Sequence, residues 1–167
     1  MQLLKNIVIN AAIILALLFG LTVSATATPS SEFELTKVFA ERGNPIAQAG
    51  LGSRYSLGYG VKQDYEKAFY WHKKSAEQGN AGGQAALAQQ YQEGLGVRQD
   101  YSKAFYWYKK SADQNHEIAQ RQVGIMYEYG LGVRQNKTIA KEWYGKACDN
   151  GHQDGCDNYK FLNERGY

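Results

Sequence analysis

The residues His116-Glu117-Ile118-Ala119-Gln120 open like the H-E-x-x-H motif, in which two histidines one helical turn apart hold zinc and the glutamate acts as base. Gln120 stands where the second histidine is needed, so the segment has no chelating pair. His116 and His152 occupy the same repeat position as Asn80, between the end of one helix and the start of the next, and read as capping or solvent-facing residues. His72 gives way to Tyr108 and Tyr144 at equivalent positions and reads as a packing residue. The chain has no G-x-S-x-G elbow, no G-x-x-x-x-G-K-[ST] phosphate loop and no S-x-x-K. Glycine pairs such as Gly58 and Gly60 recur periodically and read as turns rather than a phosphate cradle. Cys148 and Cys156 are spaced too widely for the C-x-x-C of redox catalysts, and two thiols alone make a poor zinc site. These residues predict no catalytic centre, no metal and no cofactor.

The amino-terminal stretch carries one charge, Lys5, then an apolar run from Ile7 to Val23 with Asn10 inside it, then Ala25-Thr26-Ala27. That order fits a signal peptide, residues 1–27, cut after Ala27, with a cut after Ala25 also open. An uncleaved membrane anchor is the rival reading, since the run reaches the lower edge of the ~17 to 25 residues that span a bilayer. The whole chain carries a net charge of +3, and loss of Lys5 leaves about +2, too weak and dispersed to suggest nucleic acid as a partner. Export would place Cys148 and Cys156 in an oxidising compartment, where they can pair.

The elements that position these residues follow from a repeat. "GVKQDYEKAFYWHKKSAEQ" (60–78) and "GVRQDYSKAFYWYKKSADQ" (96–114) are identical at 15 of 19 positions and offset by 36 residues. The same offset relates Trp71, Trp107 and Trp143; Tyr55, Tyr91 and Tyr127; and the small residues Gly52, Ala88 and Gly124. Three copies of this length are the mark of a solenoid. Within one copy, Asn44 and Pro45 start a first helix, Ala47, Leu51 and Tyr55 form its apolar stripe, and Gly58 stops it. Asp64 caps a second helix with Tyr65, Ala68, Trp71, His72 and Ser75 on one face and Gly79 at its end. Nothing alternates with the period of a strand. The core is expected at Leu51, Tyr55, Trp71, Leu87, Tyr91, Trp107, Val123, Tyr127 and Trp143, with the tryptophans buried between neighbouring units. Lys73, Lys74, Lys109 and Lys110 fall late in their helices, where positive charge suits the helix dipole.

"AQAGLGSRYSLGYGVKQDYEKAFYWHKKSAEQG", Ala47 to Gly79, resembles the Sel-one-like repeat (SLR), a relative of the tetratricopeptide repeat. The resemblance covers about Asn44 to Cys156 and implies an all-α, right-handed solenoid of 36-residue helix-turn-helix units. The expected division is a linker and half-repeat helix (28–43), repeats at 44–79, 80–115 and 116–151, and a capping segment at 152–167. The third copy departs at Asn136, Lys137 and Ile139. The spacing of Cys148 and Cys156 resembles that of cysteine-rich secreted members, in which such a pair staples consecutive helices. A staple of that loop length stabilises by roughly 2 to 3 kcal/mol on the chain-entropy model.

The resemblance also implies that the first helix of each unit lines a concave surface that holds peptides or protein segments. The helical phase opposite the Leu51/Tyr55 stripe then selects Ser53 and Leu57, Gln89 and Glu93, and Arg121, Ile125 and Tyr129 as the partner-binding face. On the second helices, Tyr70 and Tyr106 point away from the apolar stripe and offer a convex aromatic contact. The expected function is a non-catalytic scaffold in the periplasm, or secreted, whose partner is another protein or a peptide. Two alternatives stay open: a binder or weak hydrolase of β-lactams or cell-wall fragments, as assigned to some relatives, and an immunity protein that neutralises a periplasm-delivered toxin.

Overall fold

In a computed structural model, the described part of the protein is residues 29–167, so the expected signal segment lies outside it. Eight helices follow one another there: α1 (Pro29–Glu41), α2 (Pro45–Leu57), α3 (Tyr65–Glu77), α4 (Ala81–Glu93), α5 (Tyr101–Ala112), α6 (Glu117–Tyr129), α7 (Lys137–Asp149) and α8 (Gln153–Glu164). No strand occurs among the described residues. Each helix packs on the one before and the one after it, and α2 also meets α4 across α3. The architecture is an all-α solenoid.

The starts and stops of the helices have local causes. Asn44 Oδ1 accepts from the Ala47 N–H and Asp64 Oδ1 from the Lys67 N–H, with the same bond repeated at Asn80, Asp100 and Asn136. At α6 the cap is His116, whose Nδ1 accepts from the Ala119 N–H at 3.3 Å. Gly96 and Gly132 matter for another reason. A Cβ on Gly96 would lie 2.1 Å from the Tyr65 carbonyl oxygen, and one on Gly132 2.2 Å from that of Tyr101. The turns after α4 and α6 therefore rest directly on the starts of α3 and α5.

Leu51, Leu87 and Val123 are buried completely or nearly so, as are Ala68, Ala104 and Ala140. Tyr55, Tyr91 and Tyr127 are half-buried, each meeting a phenylalanine of the preceding second-type helix edge-on: Phe33 at 5.7 Å, Phe69 at 5.4 Å and Phe105 at 5.3 Å. Such pairs contribute ~0.5–1.5 kcal/mol beyond their burial. The tryptophans differ from the expectation: Trp143 is buried, but Trp71 and Trp107 are only half-buried. The deepest ring lies one residue later, at His72, Tyr108 and Tyr144. It enters there because its neighbour on the first-type helix is small. A Cβ on Gly52 would sit 2.3 Å from His72 Cδ2, and one on Gly124 2.6 Å from Tyr144 Cδ1.

A buried amide clips three of the junctions. Gln48, Gln84 and Gln120 donate from Nε2 to the carbonyls of Ala40, Ala76 and Ala112 in the preceding helix, at 3.1, 3.3 and 3.3 Å. Their Oε1 atoms accept from Gln78, Gln114 and Asn150 at the end of the following helix. At the last junction these equivalent positions hold Cys148 in place of the alanine and Cys156 in place of the glutamine, and the two form a disulfide. The Phe–Tyr pair is also replaced there, by Lys141 and Asn163 at 3.4 Å, and Lys141 Nζ donates to the Tyr167 carbonyl as well.

Candidate functional site

Between α2 and α4 opens a cleft of about 380 Å³. Its walls include Ser53 and Leu57 from α2 and Gln89 and Glu93 from α4, four of the seven residues selected by helical phase. His72 of α3 forms the floor, with Gln90 behind it. The orientation of these two groups follows from their partners. Gln90 Nε2 lies 3.3 Å from the Tyr65 carbonyl and 3.3 Å from the Leu95 carbonyl, both of which can only accept. Gln90 Oε1 is therefore the atom that faces His72 Nδ1 at 2.9 Å, and Nδ1 must carry the proton. Nε2 is left as an acceptor, 3.5 Å from Ser53 Oγ. Burial pushes the His72 imidazole below its ordinary value, against the upward pull of its bond to the Gln90 amide oxygen, so it is neutral at pH 7.

Ser53, His72 and Gln90 have the order of nucleophile, base and orienting group. Ser53 Oγ, however, donates to the Ala49 carbonyl at 3.1 Å. Acyl transfer also needs N–H donors aimed at a developing oxyanion. The first-type helix residues that line the cleft lie within α2 and α4, where backbone N–H groups bond to carbonyls four residues back. The arrangement is better suited to accepting hydrogen bonds from a bound group. It is also confined to one unit: the equivalents of Ser53, His72 and Gln90 are Gln89, Tyr108 and Met126 in the next unit, then Ile125, Tyr144 and Leu162.

The third trio lies elsewhere. Arg121 Nε donates to Asn158 Oδ1 at 3.1 Å, and its guanidinium is 3.7 Å from Asp154, so the side chain is tied to α8. Ile125 packs against the cluster of Ala140, Tyr144 and Leu162. The expectation that all three face an open groove treated α6 alone; α8 takes the seat that a further first-type helix would fill. Tyr129 remains 65% exposed. Behind Ile125, the Tyr144 hydroxyl donates to Glu128 Oε2 at 2.7 Å, and burial with this bond pushes it far above the ordinary phenol range. Tyr108 is pushed up too, by burial first and the nearby Glu93 carboxylate second.

On the second-type helices, Tyr70 and Tyr106 are half-exposed and stack edge-on against Trp71 and Trp107. Lys74 lies over the first pair and Lys110 over the second, while Lys109 and Lys146 flank Trp143 at 5.0 and 4.0 Å. The helix-end lysines thus cover aromatic faces in addition to complementing the helix dipoles. His152 opens α8 without a side-chain cap bond, and its buried Nδ1 has no partner. Sequence reasoning missed the pairing of His72 with Gln90. The available signal was the departure of both residues from Tyr108 and Met126 at equivalent positions.

Among the described residues, no group of three or more His, Cys, Asp or Glu could hold a metal ion. No described helix is long and apolar enough to cross a membrane. Among curated proteins none matches the chain. Solved structures do. A protective antigen of uropathogenic Escherichia coli strains, c5321, which displays an SLR fold, is 34% identical over 84% of this chain and 30% of that one, with a TM-score of 0.78. A Sel1 repeat protein from Oxalobacter formigenes is 34% identical over 75% of this chain and 50% of that one, with a TM-score of 0.72. Helicobacter pylori cysteine rich protein B shares the fold at 22% identity, over 78% of this chain and 96% of that one, with a TM-score of 0.65. This chain therefore spans 30% and 50% of the length of the first two. The Sel1 repeat profile matches residues 45–80, 81–116 and 118–152. Repeats of this kind generally serve as protein-interaction scaffolds. With three tandem matches and a helical stack of the same architecture, the chain belongs to the Sel1 repeat family.

Proposed function

We propose that the protein is a non-catalytic scaffold, working outside the cytoplasm, that holds a segment of another protein in the cleft between α2 and α4. The observation that carries this reading is the convergence of Ser53, Leu57, Gln89 and Glu93 on one cleft floored by a buried imidazole. Leu57 is 78% exposed at its rim, an apolar side chain left for a partner to cover. The Cys148–Cys156 bridge supports an oxidising compartment, the periplasm or the exterior. A toxin or an envelope protein would each fit as the partner.

The test is to pan a displayed peptide library against the purified protein and measure the affinity of the enriched sequences by calorimetry. Leu57→Asp should weaken them at least tenfold with the helical circular dichroism unchanged; equal affinity for the variant moves the site elsewhere. A second reading has one specific observation in its favour, the Ser53–His72–Gln90 line. Hydrolysis of an activated ester or a chromogenic β-lactam, lost in Ser53→Ala, would replace the scaffold reading with an enzyme. Amino-terminal sequencing of protein recovered from cells tests the location, and an intact Met1 would tell against a cleaved leader.

A further inference from the structure

We infer that the cleft between α2 and α4 selects a basic side chain, lysine or arginine, presented by an extended segment of the partner; this rests on the reading of the cleft as a partner site. The lining carries one formal charge, the Glu93 carboxylate, and no cation. Gln89 Nε2 occupies Glu93 Oε1 at 2.9 Å, and no described lysine or arginine forms a salt bridge with Glu93. At the floor, His72 Nε2 is an acceptor because Gln90, fixed by two carbonyls, forces the ring proton onto Nδ1. Ser53 Oγ, whose proton goes to the Ala49 carbonyl, lines the same cleft with lone pairs free to accept. The cleft thus offers three acceptor groups and wants donors. The apolar part of the lining is Leu57 at the rim with Ala86 and Leu95, a match for the methylene stem of a long side chain. An acidic or purely apolar side chain would leave these acceptors unpaired or repelled. A basic one pairs with them.

The neighbouring units support the assignment by contrast. In the second unit the floor is Tyr108 with Met126 behind it, and in the third Tyr144 and Leu162, so the acceptor at Nε2 exists once in the stack. His72→Tyr should therefore close this cleft while keeping a ring that the fold already accepts twice.

The probes are three synthetic peptides that differ at one central residue, arginine, citrulline or glutamate, titrated against the full protein and followed by the NMR signals of the His72 ring and by calorimetry. The arginine peptide should shift the His72 signals and bind more tightly than citrulline by roughly two- to fivefold, since Glu93 is exposed and screened, with the gap closing in high salt. Glu93→Lys should invert the preference, favouring glutamate over arginine, with circular dichroism unchanged. His72→Tyr should abolish the preference. Equal affinity for arginine and citrulline, or an unchanged ranking in Glu93→Lys, would overturn the inference. If library peptides bind the cleft in a Leu57-dependent way but carry no basic residue, this inference fails and the scaffold reading stands. If no peptide depends on Leu57, the scaffold reading itself fails.

Discussion

At residue 72 the protein places a histidine where its own repeats use tyrosine, and the two choices behave differently in acid. The folded His72 lies below its ordinary value because burial opposes the charge. The unfolded chain therefore takes up the proton first as pH falls below about 6.5, and stability declines from there down through the folded pKa; above that window both states are neutral and the group contributes nothing. Glu93 and Tyr65 are the other titratable groups that line the same cleft. The melting temperature should thus fall between pH 7 and 5, and His72→Tyr should flatten that part of the profile in scanning calorimetry. The partner position is as demanding. Gly124→Ala puts a methyl 2.6 Å from a fully buried ring whose hydroxyl is bonded to Glu128. It should destabilise by ~1–3 kcal/mol in urea titration, outweighing the better helix propensity of alanine.

At the scale of elements, the junctions are variations on one joint. Three use a buried glutamine amide that bonds an alanine carbonyl, with a Phe–Tyr contact beside it. The fourth, between α7 and α8, has a disulfide and a Lys141–Asn163 hydrogen bond at the equivalent places. Removing the glutamine in Gln84→Ala takes one of two partners from the Ala76 carbonyl, which keeps the Gly79 N–H, and from the Gln114 amide, which keeps the Lys110 carbonyl, and should cost ~0.5–1.5 kcal/mol by chemical denaturation. Cys148→Ser with Cys156→Ser should lower stability by roughly 2–3 kcal/mol and make α8 the first helix to exchange its amide hydrogens. Unchanged protection of α8 in that variant would show that Leu162 packing and the Arg121 and Lys141 bonds hold the helix without the bridge.

For the whole molecule, the 36-residue recurrence carried almost everything about the fold, because each unit must bury the same face and so repeats the same residues. Helical phase alone put Ser53, Leu57, Gln89 and Glu93 on one side of α2 and α4. It could not show that Arg121 and Ile125 also meet α8, because the phase of α6 says nothing of the helix lying against it. The tryptophans were misjudged by one residue, since α3 packs on both α2 and α4 and adjacent positions compete for its inner face. Buried Gln48, Gln84 and Gln120 were invisible for another reason: a polar side chain goes inside only when a carbonyl waits there, and the carbonyl has no signature in sequence. The stack also predicts that excision of residues 80–115 leaves a shorter helical protein that still melts cooperatively, at lower temperature, and without the Gln90 that orients His72. A final consequence follows from the bridge near the carboxyl end. Among the described helices, α8 leans chiefly on one neighbour, α7. The joined sulfurs tie α8 to α7; a thiol reagent removes that tie and leaves the helix to its packing and hydrogen bonds. How firmly α8 stays on the stack is thus coupled to the redox state around it.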